Sequence, residues 1–182
     1  MTELELEKTY LAKSLPQGLE KCLHKEIIDI YIPADAVHPV LRLRKKGNVF
    51  EMTKKEPDIE GDASEQTEHT IKLTEEEYKA LSSIKGKRVR KVRYDYEYKG
   101  HNAEIAIFKD DLDGLVLVDV EFKDTKSKNA FAMPDFCLAD VTQDEIFAGG
   151  MLCGKKYADI EGKLKELGYV KLLHNPSGNR MD

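Results

Sequence analysis

No stretch of this 182-residue chain stays apolar for anything near the ~18 residues that suggest a membrane span, so a transmembrane helix is excluded. Cysteine is scarce. Cys22, Cys137 and Cys153 are an odd number without CxxC spacing, which predicts neither a disulfide framework nor a zinc knuckle, but free thiols in a reducing compartment. The N-terminus carries Glu3, Glu5 and Glu7 in place of the basic start and apolar stretch of a secretory leader, so the chain is expected to be cytoplasmic. Positive charge is not in excess either. The formal net charge of −5 argues against a nucleic-acid partner held by overall charge, and no membrane partner is expected. His24, His38, His69, His101 and His174 show no metal-ligand spacing. The acidic run Asp110–Gly114 fails as an EF-hand, because a register ending at Glu121 puts Leu112 and Gly114 at ligand positions. Gly149, Gly150 and Gly154 neither form GxGxxG nor lead a strand into a helix.

Charge and alternation are abundant. Charged residues make up 35% of the chain against about 25% ordinarily. Apolar residues, at 41%, still suffice for one core. One domain is expected over residues 1–170, with 171–182 a flexible tail. Period-two alternation predicts strands at Glu3–Leu11, Glu26–Ile32, Val40–Lys45, Asn48–Lys55, Glu68–Leu73, Lys87–Tyr98, Ala103–Phe108 and Leu115–Lys123. Turns fall at Lys46–Asn48, Lys99–Asn102 and Asp110–Gly114. The polar stretch Lys54–His69, with Pro57 and Gly61, reads as a mobile loop. Thr74 with Glu77 is a capping box opening a helix, Thr142 with Glu145 repeats the pattern, and a last helix over Lys155–Leu167 stops at Gly168. Sequential hairpins with few helices predict an antiparallel α+β fold or barrel.

The strands sort their charges by sign. Glu3, Glu5 and Glu7 share a face on the first strand, Arg42 and Arg44 on the third, and Asp119 and Glu121 on the last. Lys91, Arg93, Asp95 and Glu97 lie opposite Val92, Tyr94, Tyr96 and Tyr98, the tyrosines being expected beneath a helix. An ordinary sheet with one wet face accounts for the alternation. Segregation of sign strand by strand points instead to a closed barrel with a polar interior and helices outside, lined for a highly charged ligand. Arginine and lysine groups grip phosphate oxygens, arginine in bidentate fashion. Clustered carboxylates call for a cation between them, Mg²⁺ or Mn²⁺. Together they would clamp a polyphosphate, whose transfer needs mostly positioning and charge neutralisation.

On these residues the chain resembles the CYTH family, also called triphosphate tunnel metalloenzymes, from Glu3 to about Leu152. Glu5-Leu6-Glu7-Lys8-Thr9 resembles its opening Glu-x-Glu-x-Lys, and Arg42-Leu43-Arg44 its Arg-x-Arg. Thr53-Lys54-Lys55 resembles Thr-x-Lys, Lys91-Val92-Arg93-Tyr94 resembles Lys-x-Arg-Tyr, and Gly114 to Glu121 resembles the Gly-Leu-x-x-x-Glu-x-Glu strand. The resemblance implies a closed eight-stranded antiparallel β-barrel that binds triphosphate groups with a divalent metal. Members include inorganic triphosphatases, thiamine triphosphatases and class IV adenylate cyclases. By motif match Arg42, Arg44, Lys55, Lys91 and Arg93 would hold phosphate oxygens. Glu5, Glu7, Glu104, Asp119 and Glu121 would hold metal, with Glu5 and Glu7 also orienting the attacking water, and Arg44 would neutralise the transferred group.

Three positions depart from the pattern. Thr9 stands in place of the signature lysine, and Thr70 and Ala106 in place of acids on the fifth and seventh strands. A threonine hydroxyl donates one hydrogen bond but cannot supply the lysine's charge. The expected function is metal-dependent hydrolysis of tripolyphosphate or an organic triphosphate. The alternatives are a module that binds a triphosphate or polyphosphate without cleaving it, and a cyclase, which needs a base-recognition site the sequence does not display. Exposed barrel rims and the final helix allow a homodimer.

Overall fold

The computed structural model describes residues 2–57 and 62–173. Nine strands form one sheet: β1 (Thr2–Ala12), β2 (His24–Ile32), β3 (Leu41–Lys46), β4 (Val49–Pro57), β5 (Glu65–Leu73), β6 (Lys87–Tyr98), β7 (His101–Phe108), β8 (Val116–Phe122) and β9 (Cys137–Asp140). Around it lie α1 (Glu75–Leu81), α2 (Thr125–Ala130), α3 (Gly149–Leu152) and α4 (Tyr157–Glu166). The order β5-β4-β3-β2-β6-β7-β8-β1 returns on itself, because β1 also pairs with β5. The closing seam runs from Thr2 opposite His69 to Leu6 opposite Glu65. Further along, β1 passes from β5 to β9, pairing over Tyr10–Ala12. The result is a closed eight-stranded antiparallel barrel with β9 as an addition to its seam, and closure removes the exposed strand edges that invite aggregation.

Turn chemistry sets the register of the hairpins. Lys99 and Gly100 both take positive φ between β6 and β7, as a two-residue turn matched to strand twist requires. That turn is shorter than predicted, and His101 and Asn102 already belong to β7. Thr74 caps α1 as expected: Glu77 N–H donates to Thr74 Oγ1, and Thr74 N–H to Glu77 Oε2. The second predicted box does not form. Thr142 donates instead to Asp140, and Glu145–Phe147 is a single 3-10 turn. Of the predicted loop Lys54–His69, residues 58–61 lie outside the described residues and most of the rest is strand, since β4 continues to Pro57 and β5 begins at Glu65. Its polarity belongs to an inward face, with Lys55 opposite Glu68 and Thr53 opposite Thr70. The tail expected from residue 171 lies outside the described residues from 174 on. Before that point Leu172 N–H donates to the Gly114 carbonyl, and the Lys171 ammonium sits over the Tyr157 ring.

Three apolar clusters hold the fold. Outside the barrel, α1 lays Tyr78 on Ile30 and Leu43. Also outside, Phe131 and Phe136 pack with Tyr10, Tyr94, Tyr96 and Tyr98, so the tyrosines lie under the segment around α2. The third cluster occupies the bore. Leu11, Tyr31, Val89, Ala106, Phe108 and Leu117 share the parity of the ionic lining, and they pack against Phe147, Leu152, Tyr157, Ile160 and Leu164. The segment from the 3-10 turn through α4 therefore plugs one end of the barrel. Gly149 and Gly150 permit its close approach, because a Cβ there would lie 2.1 Å from the Tyr31 hydroxyl and 2.3 Å from the Pro39 carbonyl oxygen.

Candidate active site

Above the plug the bore is ionic. β3 contributes Arg42 and Arg44, β4 Lys55, and β6 Lys91 and Arg93. β1 contributes Glu5 and Glu7, β7 Glu104, and β8 Asp119 and Glu121. All of these predicted side chains line one cavity of about 510 Å³. Their convergence follows from strand parity once the sheet closes, since every second residue must face inward.

The two signs already engage each other. Lys55 pairs with Glu5, and also with Glu68 at 3.6 Å, while Arg42 reaches Glu68 at 3.7 Å and Arg93 pairs with Glu104. Arg44 forms a two-point fork on Asp29, from Nε to Oδ1 at 2.7 Å and from Nη2 to Oδ2 at 2.8 Å. Among the described residues, two guanidinium N–H groups, Nε of Arg42 and Nε of Arg93, are buried without an acceptor. Leaving a buried donor unmade costs roughly 1–3 kcal/mol, so such a wall favours an anion that brings acceptors.

Crowding shifts the protonation equilibria. Burial, with Asp119, Glu5 and Glu104 close by, pushes the Glu7 carboxyl up to about 8. Burial raises Glu5, and burial together with Glu104 and Glu5 raises Glu121. Burial, with Arg44 and Arg93 nearby, brings the Lys91 ammonium down to about 8. Asp29 goes the other way: against the cost of its burial, the Arg44 guanidinium holds its carboxyl well below the ordinary range.

Each departure from the motif has a local setting. Thr9 Oγ1 donates to Asp119 Oδ1 at 2.8 Å. Thr70 Oγ1 donates to Glu68 Oε1 at 2.6 Å and contacts the Thr53 hydroxyl at 3.1 Å. Ala106 is 1% exposed, packs with Leu117 in the apolar cluster that meets the plug, and stands opposite Arg93 on its other side, so it offers that guanidinium no acceptor.

Asp29 is a site residue outside the set that the motifs point to. Its signal was a lone acid inside the apolar run Ile27–Ile32, at the inward parity of Tyr31. Glu51, Tyr31, Phe147 and Gln143 also line the cavity, the last two from beyond the strands that alternation predicted.

The donor set of the acidic wall is oxygen only, which suits a hard divalent cation. Burial first, and the neighbouring carboxylates second, raise the Glu7 carboxyl, and such a cation would offset the repulsion. Among the described residues no three acidic, histidine or cysteine side chains are drawn into a ready coordination cluster, and Glu5 and Glu104 are each held by a cationic side chain.

No protein-family model matches the chain. An inorganic triphosphatase from Nitrosomonas europaea is 31% identical over 143 residues, covering 78% of this chain and 91% of that protein. The chain belongs to the CYTH, or triphosphate tunnel, family. A solved structure of an inorganic triphosphatase superposes with a TM-score of 0.61 at 26% identity, covering 83% of this chain and 95% of the other. A conserved hypothetical protein from Pyrococcus furiosus, at 16% identity and a TM-score of 0.50 over 96% of both chains, has a similar fold. Among the described residues no helix is long and apolar enough to cross a membrane.

Proposed function

We propose that this CYTH protein hydrolyses the phosphoanhydride bond of tripolyphosphate or an organic triphosphate. The observation that carries the reading is the meeting of a cationic wall and an acidic wall in one cavity. Arg42, Arg44, Lys55, Lys91 and Arg93 bind the phosphate oxygens and fix the chain for in-line attack. Arg44, charged at any working pH, neutralises the charge that develops on the transferred group. Glu5 and Glu7 orient the attacking water. Glu5, Glu7, Glu104, Asp119 and Glu121 would hold Mg²⁺ or Mn²⁺, which when bound supplies Lewis-acid polarisation of phosphoryl oxygens. Purified protein with tripolyphosphate and Mn²⁺ is expected to release phosphate, and Arg44→Ala to lose at least ~10²-fold in kcat. Absence of metal-dependent turnover on tripolyphosphate, thiamine triphosphate and ATP would falsify the hydrolase reading.

The hydrogen bond from Thr9 to Asp119 favours a second reading, a module that holds a triphosphate without cleaving it, because the hydroxyl occupies a site where the family pattern has a cation. Calorimetry with tripolyphosphate separates the two: binding without product supports the module.

A further inference from the structure

The contact between Arg44 and Asp29 stands apart from the other ion pairs of the bore. Glu5, Glu68 and Glu104, the partners of Lys55, Arg42 and Arg93, all line the cavity themselves. Asp29 is not among the residues lining the cavity; it lies beside Arg44 on the inward face of β2, 1% exposed and directly opposite it in the β2–β3 ladder. Both of its carboxylate oxygens accept from Arg44, one from Nε and one from Nη2. This fork fixes the plane of the guanidinium while leaving Nη1 and one N–H of Nη2 for a ligand. The next inward residue on β2, Tyr31, stands opposite Arg42 in the same ladder and is also buried. The inward residues of β2 thus flank the arginine strand.

We infer that Asp29 is the positioning residue of the site: it holds Arg44 in its phosphate-binding orientation before any ligand arrives. The inference deepens the triphosphatase reading and rests on it for its kinetic consequence. Preorganised donors act on developing charge without reorganising, whereas a guanidinium free to turn must be ordered in every turnover. Asp29 has both carboxylate oxygens on Arg44 and is not part of the cavity lining, so its effect on a phosphate would pass through the arginine. Its negative charge opposes polyanion binding while its geometry favours turnover, so removing it should push the two quantities in opposite directions.

That split gives the test. Asp29→Asn is expected to lower kcat on tripolyphosphate about 10²-fold, the scale of a small misplacement of a reacting group, with KM unchanged or lower. In the Arg44→Ala background the same substitution should cost little more, because the group it positions is gone. A raised KM with unchanged kcat, or losses that multiply independently in the double variant, would overturn the inference. Since Asp29→Asn leaves a buried guanidinium half-paired and can fail to fold, a second measurement uses the wild-type chain. The Arg44 Nε–H resonance should exchange slowly with solvent and be rigid without ligand, and change little in rigidity when tripolyphosphate is added. A signal that is mobile until tripolyphosphate arrives would also overturn the inference. If the wild-type protein neither binds nor cleaves tripolyphosphate, the triphosphatase reading fails, and the resonance still decides whether Asp29 locks Arg44.

Discussion

Thr9 on β1 and Asp119 on β8 stand directly opposite each other, and the threonine hydroxyl donates to the carboxylate at 2.8 Å. The bond satisfies Asp119 without adding charge to an acidic wall where Glu7 is already hard to ionise. Replacing Thr9 with lysine would put a cation in that wall. Thr9→Lys is expected to raise kcat/KM on tripolyphosphate about tenfold, the worth of one charge-assisted contact. Steady-state kinetics beside the wild type checks this, and a variant no faster would mean that the hydroxyl suffices.

The raised Glu7 carboxyl links stability to pH. Glu7 holds its proton in the folded protein up to about pH 8, whereas the unfolded chain releases it near the ordinary carboxylate value. Between those limits the folded state binds the extra proton, so the contribution of Glu7 to stability falls as pH rises through the window. Urea unfolding of metal-free protein from pH 5 to pH 8 should show this decline, and Glu7→Gln should flatten it. An unchanged slope in the variant would assign the decline elsewhere.

A cation bound by the acidic wall would act in the opposite sense. Mg²⁺ or Mn²⁺ should raise the melting temperature at pH 8, in proportion to the logarithm of its concentration once above its Kd. Asp119→Asn should weaken that response at least tenfold in metal concentration. Thermal melts across a metal titration read both quantities, and equal responses in the two proteins would remove Asp119 from the metal-binding set.

Gly150 packs where a methyl group would lie 2.3 Å from the Pro39 carbonyl oxygen, a backbone atom that cannot swing aside. Gly150→Ala should therefore displace the plug and cost about 1–3 kcal/mol of stability, as overpacking does. Gly162 has open space around a Cβ and serves as the control, with Gly162→Ala neutral or stabilising because it sits inside α4. Denaturant midpoints of the two variants test the contrast.

The lining of the bore was legible because parity is a geometric consequence of extended chain. Glu5, Arg44, Arg93 and Glu121 fall on one side of their strands in any register, and closure of the sheet brings them together. Two features defeated the same reading. The segment Lys54–His69 looks like a loop because both its sheet partners and the tunnel it faces are polar, a setting in which strand composition loses its apolar half. The plug was invisible because Leu11, Ala106 and Leu117 have the parity of the charged lining but the chemistry of a core, and nothing local says that a distant helix enters the bore to meet them. Asp29 lay in between. Its alternation was readable, but its partner on β3 becomes evident only through the ladder.

Sealing one end of the barrel with α4 and its preceding turn also sets the direction of traffic. On the triphosphatase reading, a chain of phosphates would enter head first and to a limited depth, and whatever is cut from it would back out past the same rim. Orthophosphate and pyrophosphate would then queue against incoming substrate at a common doorway, and the pace of turnover would depend on how readily the five cations let go.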